Sequence, residues 1–373
     1  MIFLLQIHFI CMKTIEFKSQ NEHQTAFAAE LKKNVHAYFK ANNLSMKATW
    51  RFYTKAIVML SFYIGSFVLL LTTSIPVWVS ILLVLIMGIG EAGIGMSIMH
   101  DGAHGSVSKK DWVNKLFAST IVLLGSNAIN WKIQHNMLHH RYTNIYGFDQ
   151  DILTKGIIRL SDHAPLKPYH RYQFIYAFFL YGLMTLSKLV ADFKQLFLFN
   201  KEGIMEEQRI KLRKELVKLI VIKSIYLMII VGLPLFVTDF KWWQILIGFS
   251  IMHITAGIIM SAIFQMAHVV IGAQQPLPDE NNIIQNEWHV HQLCVTVDFA
   301  PNNKLLSWYA GGLNFQIEHH LFQYICHIHF KAIAPIIKRT AQKYGYDYQV
   351  NSSFSKAIKS HIKRLKDLGR MKP

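Results

Sequence analysis

Apolar and polar positions alternate along this chain in long blocks rather than in short helical or strand periods. Five apolar runs stand out, at residues 56–75, 76–99, 172–190, 219–237 and 242–270. Each approaches the roughly 20 residues that a helix needs to cross a hydrocarbon core about 30 Å thick. A sixth run, 116–129, has only about 14 residues and reads as interfacial or buried. Residues 1–11 are apolar but too short to span, and they lack the basic leader and small-residue cleavage pattern of a signal peptide. Met12 opens a more polar segment and is a second candidate start. No internal repeat or low-complexity linker divides the chain. The organisation expected is an N-terminal segment, 1–55, followed by one membrane domain, 56–373.

Composition and charge sharpen this picture. Hydrophobic residues make up 52% of the chain and the mean hydropathy is +0.24, too apolar for an ordinary soluble domain. The net charge is +17, from 39 Lys and Arg against 22 Asp and Glu. On so apolar a chain this excess points to membrane topology and anionic headgroups rather than to nucleic acid. Segment 13–55 holds eight basic residues against three acids, 192–218 seven against five, and 331–373 eleven against two. The links at 74–76 and 238–241 are nearly uncharged. Positive charge marks the cytoplasmic side, so both termini and the 192–218 loop are expected there and the two short links outside. Cys11, Cys294 and Cys326 are scattered and suggest neither a disulfide framework nor a thiolate metal site.

Histidine is the residue whose distribution is informative. Of 19 histidines, seven fall in three clusters: His100 and His104, then His135, His139 and His140, then His319 and His320. Positions four apart share a helix face, so His100 with His104, and His135 with His139, can aim at one point. His140 and His320 lie one residue further round and can reach a second point nearby. Imidazole suits iron, zinc, copper and nickel. A lone histidine is more often a hydrogen-bonded residue than a ligand, and that reading covers His8, His23, His36, His163, His170 and His361. His253, in mid-span and about 22 Å of helix before His268, is read as packing. His289 and His291 have the spacing of a strand face or an irregular turn and are read as structural. Clustered imidazoles beside apolar spans are costly to desolvate without a shared partner, which favours metal.

The spacings HxxxH, HxxxHH and QxxHH, set between and after paired hydrophobic runs, resemble those of the membrane fatty acid desaturase family. Gln316, standing where other branches have the first histidine of the third motif, is similar to the front-end branch, which acts between an existing double bond and the carboxyl end. The words WKIQHNMLHHRYTNI and NFQIEHHLF agree with that placement. Gln323 departs from the proline common after the third motif in that branch. The resemblance implies an all-α integral membrane fold of four transmembrane helices, with interfacial helices and a cytoplasmic histidine-rich cap. It further implies two iron ions, O2 as co-substrate, and an acyl substrate carried by lipid, coenzyme A or a carrier protein. The implied ligands are His100, His104, His135, His139, His140, His319 and His320, with His268 at the end of the last span as the eighth. Gln316 is a weak ligand or a hydrogen-bonding neighbour, and Asp101, Asp149, Asp151 and Glu318 are candidates to orient the imidazoles. No HPGG haem motif occurs, so a separate ferredoxin or cytochrome b5 is expected as electron donor.

Two rival activities and one question of topology stand beside this reading. Hydroxylation of an acyl or alkyl chain would use the same scaffold and is separated by product analysis. A histidine-rich metal transporter would place ligands and carboxylates inside the spans; Glu91 is the one acid found in an apolar run. The question of topology is whether 172–190 crosses. A crossing there would put His319 and His320 on the membrane face opposite His100 and His135, so this segment is expected to lie along the interface as a helix.

Overall fold

The computed structural model describes residues 14–154 and 156–371; the expectations for residues 1–11, Met12 and Cys11 fall outside them. Among the described residues the protein is helical, with four helices long and apolar enough to cross a membrane: Trp50–Thr72, Val77–Ala103, Leu212–Val237 and Trp242–His268. The first and third start earlier than hydropathy indicates because Lys55 and Lys218, just ahead of the apolar runs, interrupt them without ending the helix. Lys55 is buried against His327, and Lys223 against Asp192 at 2.9 Å. A buried ammonium with a partner can stay in a span that a hydropathy window rejects. The expected boundary at residue 55 therefore falls inside the first span.

Spans one and two form an antiparallel pair, and spans two and four run parallel. A Cβ on Gly88 would lie 2.6 Å from the Met252 carbonyl oxygen, so only glycine allows the second and fourth spans to approach this closely. One turn on, Glu91 meets His253 at 3.2 Å, and the Tyr226 hydroxyl of span three reaches the other ring nitrogen of His253 at 2.8 Å. His253 is thus one member of a buried polar group joining three spans. Parallel packing brings the C-terminal ends of spans two and four, with His100 and His268, to the same membrane face. Trp78, Trp242 and Trp243 lie exposed at the other end, suited to headgroup level.

Run 116–129 breaks into Asp111–Ala118, a tight turn Ser119–Leu124 and Ala128–Trp131. Gly125 ends the middle piece at φ +68°, where a Cβ would strike the Tyr226 ring. Segment 172–190 departs from the single interfacial helix expected. It is two arms, Pro168–Gly182 and Met184–Lys201, bent by 77°. The first arm begins against the C-terminal helix, where Gln173 donates to the Leu365 carbonyl at 2.8 Å. The second ends with Leu196 and Phe199 packed on Ile133 and Leu138, beside the second histidine cluster. The elbow seats on span four, where Thr185 donates to the His253 carbonyl. Both arms therefore meet the histidine face, and the bend sinks a wedge between spans.

The cap closes over that face. Phe27, Leu31, Val35 and Phe39 of helix Glu22–Ala41 share one core with Ile317, Leu321, Ile333 and Ile337. The N-terminal segment is consequently built into the cap that holds the third histidine cluster, not appended ahead of it. Two short parallel strand pairs, Glu16–Phe17 with Ile283–Ile284 and Asp298–Phe299 with Val350–Asn351, tie its loops together.

Candidate metal centre

Four elements bring the histidines together. His100 opens the last turn of the second span and His104 caps it. His135 and His139 lie on Lys132–His139, whose turns are wide π turns. That geometry closes hydrogen bonds at i+5, and His140 N–H donates to the His135 carbonyl at 2.9 Å. The wider turn explains how His140 reaches the same space as His135, their Nε2 atoms 3.2 Å apart. His268 ends the fourth span, and His319 and His320 lie on helix Gln316–Leu321.

The rings form two adjoining groups. Potential ligand atoms of His100, His104, His135 and His319 lie within 4.8 Å of one another, as do those of His139, His268 and His320. A third set, His140, His319 and His320, bridges the two. All eight expected histidines are included. Buried ring nitrogens without any hydrogen-bond partner occur on His100, His104, His139, His140, His268, His319 and His320. Leaving so many polar atoms unpaired in a protein interior is costly. Metal coordination would satisfy them together, and an all-imidazole donor set fits iron.

Local electrostatics keep most of these rings neutral, the form that binds metal. Burial, and then crowding by neighbouring imidazoles, holds His104, His140, His319 and His320 well below the ordinary histidine range. Burial also lowers His135, to about 3. For His139 burial acts the same way, but the Asp149 and Asp151 carboxylates outweigh it and raise the ring.

The expected acidic neighbours divide by contact. Asp149 accepts from His139 Nδ1 through both oxygens at 3.1 Å, turning Nε2 toward the shared space. Asp151 lies 3.5 Å from His139 and 3.8 Å from His135. Asp101 sits 3.8 Å from His100 but accepts chiefly from His327 Nδ1 at 2.7 Å and from the Cys326 thiol. Glu318 faces away, accepting from the Tyr348 hydroxyl beside Asp298. Gln316 is buried with neither amide atom hydrogen-bonded, close by His319 on a cavity wall.

Sequence reasoning missed Gln292 and Thr143. Gln292 Oε1 accepts from His320 Nδ1 at 2.9 Å, and its amide donates to the His140 carbonyl. Asn144 donates to the carbonyls of His268, Gln274 and Val295, locking span four to the loop beyond it. His289 and His291 lie on a helix, Trp288–Val295, not on a strand. His291 donates to the Thr143 carbonyl, a structural role. Only proximity in the folded chain reveals Gln292; Thr143 donates to the carbonyl of His139, four residues back, and lies 3.2 Å from His320 Nδ1.

A family model for fatty acid desaturases matches residues 76–352, the stretch from the second span to beyond the third cluster. The chain belongs to the fatty acid desaturase family. The sn-1 linoleoyl-lipid 6-desaturase of Arthrospira platensis is 34% identical over 342 residues, 92% of either chain. The enzyme of the same name from Synechocystis sp. is 31% identical, over 92% of this chain and 96% of its own. An acyl-lipid (8-3)-desaturase of Physcomitrium patens is also 31% identical, over 92% and 72%. The protein is a membrane desaturase of that front-end branch, introducing a double bond into acyl chains.

A desaturase needs a dry slot for hydrocarbon beside its metals. A cavity of about 300 Å³ runs along His100, His135 and His319, with Met96, Leu124, Met260 and Phe264 among its apolar walls. Trp131 packs on His100, His104 and His135, and Phe264 on His135, His139 and His268, so aromatic faces screen the rings from water.

Proposed function

We propose that this desaturase acts on acyl groups esterified in membrane lipids, placing a cis double bond on the carboxyl side of an existing one. The reading rests on the buried, unpartnered imidazole nitrogens gathered at one wall of an acyl-sized cavity. The names of the relatives support the lipid substrate. His100, His104, His135 and His319 would hold one iron and His139, His268 and His320 the other, with His140 in reach of His319 and His320. Bound there, the iron pair supplies, with O2 and two electrons, the oxidising power to take two hydrogens from adjacent methylenes.

The chain's own groups do the rest. Asp149 and Gln292 each accept an Nδ1–H, which fixes the tautomer and directs Nε2 of His139 and His320 inward. Trp131 and Phe264 exclude water. The cavity walls hold the hydrocarbon extended past the rings, so that position along the slot decides which carbons react. Electrons arrive from a separate carrier, and exposed Lys338, Lys356 and Lys359 give the cap a basic face for an acidic donor. Both termini and the cap lie in the cytoplasm, as the basic segments favour.

The test is expression in a host without polyunsaturated acids, fed linoleic acid, with products identified by mass spectrometry. A new double bond in intact glycerolipids is the expected result. A hydroxylated product, or a product confined to acyl-CoA, overturns the reading. Metal analysis of purified protein should give two irons per chain; one stoichiometric zinc from iron-replete cells contradicts it.

A further inference from the structure

The cavity beside the histidines is amphipathic. Much of its lining is apolar, but Ser126, Asn130, Gln134, Asp151, Lys188 and Asp192 also face it. These polar groups form a patch of two sets that Lys223 links, donating to Asp192 and to the Lys188 carbonyl. Ser126 and Asn130 donate to Asp192, Lys188 Nζ donates to Gln134 Oε1 at 2.6 Å, and Gln134 Nε2 donates to Asp151 at 2.5 Å. Gln134 immediately precedes His135, so the patch lies at the end of the slot where the metal-facing rings are.

Lys188 is the one lysine or arginine on that wall among the described residues. Of its three N–H donors, one is aimed at Gln134 and another at Gln195, at 3.5 Å. The third has no acceptor among the described residues. Asp192 is already committed to Lys223, and Asp151 to Gln134. We propose that Lys188, held by Gln134, binds the carbonyl oxygen of the acyl ester and so sets the distance from the carboxyl end to the reacting carbons. The inference rests on the lipid-desaturase reading above and names the group that would give that reaction its position.

Physical chemistry selects the ligand. The acyl tail belongs along Met96, Leu124 and Met260, which leaves its polar end for the patch. A free carboxylate would meet the Asp151 and Asp192 carboxylates on the same wall and be repelled. A neutral ester carbonyl is not, and it accepts the spare N–H of a cation, a hydrogen bond stronger than a neutral one. Because the patch adjoins His135, the carbons presented to the rings are those near the carboxyl end.

The test compares Lys188→Met and Lys188→Arg with the wild-type chain in the linoleate-fed host, with membrane protein levels matched. Double-bond position is read by mass spectrometry of derivatised acyl chains, separately in glycerolipids and acyl-CoA. Wild-type product at a single position establishes the underlying reading; a silent wild type defeats that reading before the variants are compared. Lys188→Met is expected to need about tenfold more substrate for equal conversion, the loss of one charge-assisted hydrogen bond. Its residual product should spread over neighbouring positions, while Lys188→Arg keeps the wild-type position. Three results overturn the inference: wild-type position and conversion in Lys188→Met, equal losses in both variants with position unmoved, or iron lost from purified Lys188→Met. If Lys188→Met makes no product yet retains its iron while Lys188→Arg is active, the inference holds.

Discussion

Replacing Asp149 tests the metal centre through a residue that touches no substrate. Its carboxylate is fully buried and accepts four contacts: His139 Nδ1 on each oxygen at 3.1 Å, Asn144 N–H at 2.8 Å and Asp151 N–H at 2.9 Å. Asp149→Ala strands two backbone donors, one buried and one partly buried. At about 1–3 kcal/mol each, their loss costs about 2–6 kcal/mol. The same change releases His139, whose ring is then free to turn, and losing such a partner typically lowers metal affinity about 10–100-fold. Asp149→Asn keeps one acceptor for the imidazole and should fall between. The assay is iron retained by detergent-purified protein against a graded chelator, with thermal melting of the metal-free form beside it. The reasoning predicts a lower melting temperature and easier iron loss in Asp149→Ala, and a smaller shift of both in Asp149→Asn. Wild-type melting and iron retention in Asp149→Ala would refute it, since no buried donor could then depend on this carboxylate.

Other expectations follow from the same contacts. His268→Ala should remove one of the three imidazoles of its group, lowering iron content by about half and abolishing turnover while the protein stays in the membrane. The buried pair Asp298 and Glu318 shares the Tyr348 hydroxyl; burial raises Asp298 to about 6, and burial with Asp298 beside it raises Glu318 well above the carboxylate range. Raised folded-state values favour the protonated pair, so its stability contribution is full at low pH and is lost as pH climbs through about 6. Glu318→Gln should flatten the fall in melting temperature as pH rises from the ordinary carboxylate range through about 6; an unchanged slope would show that the pair is not its source. Cysteines placed at the exposed positions Lys211 and Lys359 should both label from the cytoplasm, and labelling of Lys359 from outside would exclude a shared metal site.

The membrane architecture was largely legible because hydropathy reports cost per residue in lipid, and four runs carry that signal strongly. It failed where tertiary pairing overrides the local cost. Lys55 hides inside the first span because His327 receives it, and no window along the chain can see that partner. The site shows the same division. Seven histidines announce themselves by their clustering, whereas His268 enters only through the resemblance, which places a ligand at the end of the last span. Gln292 does not announce itself, because it reaches His320 from another segment, and Thr143 and Asn144, though just after the second cluster, carry no periodic mark. Glu318 illustrates the opposite error. Sequence adjacency to His319 suggested an orienting carboxylate, but consecutive helical residues diverge by about 100°, and its side chain turns to Tyr348 instead.

The wedge between residues 168 and 201 connects the topology to the chemistry. Spans two and four run parallel, so the intervening chain must make one further crossing, and span three supplies it. Any segment between spans two and three must then return to the face it left. A straight helix lying on the surface would meet that condition, yet it would leave the cavity open along span four. The bent pair meets it while sinking its elbow to the level of His253 and Gly257. Met184, Thr185 and Lys188 thereby become cavity wall, and the second arm is pinned by Asp192 to Lys223 of span three. The parity that keeps the histidines on one face thus also delivers a lysine to the acyl slot next to His135. Straightening the elbow into a crossing helix would carry that lysine away from the rings, and the slot would lose its polar end together with its shared metal site.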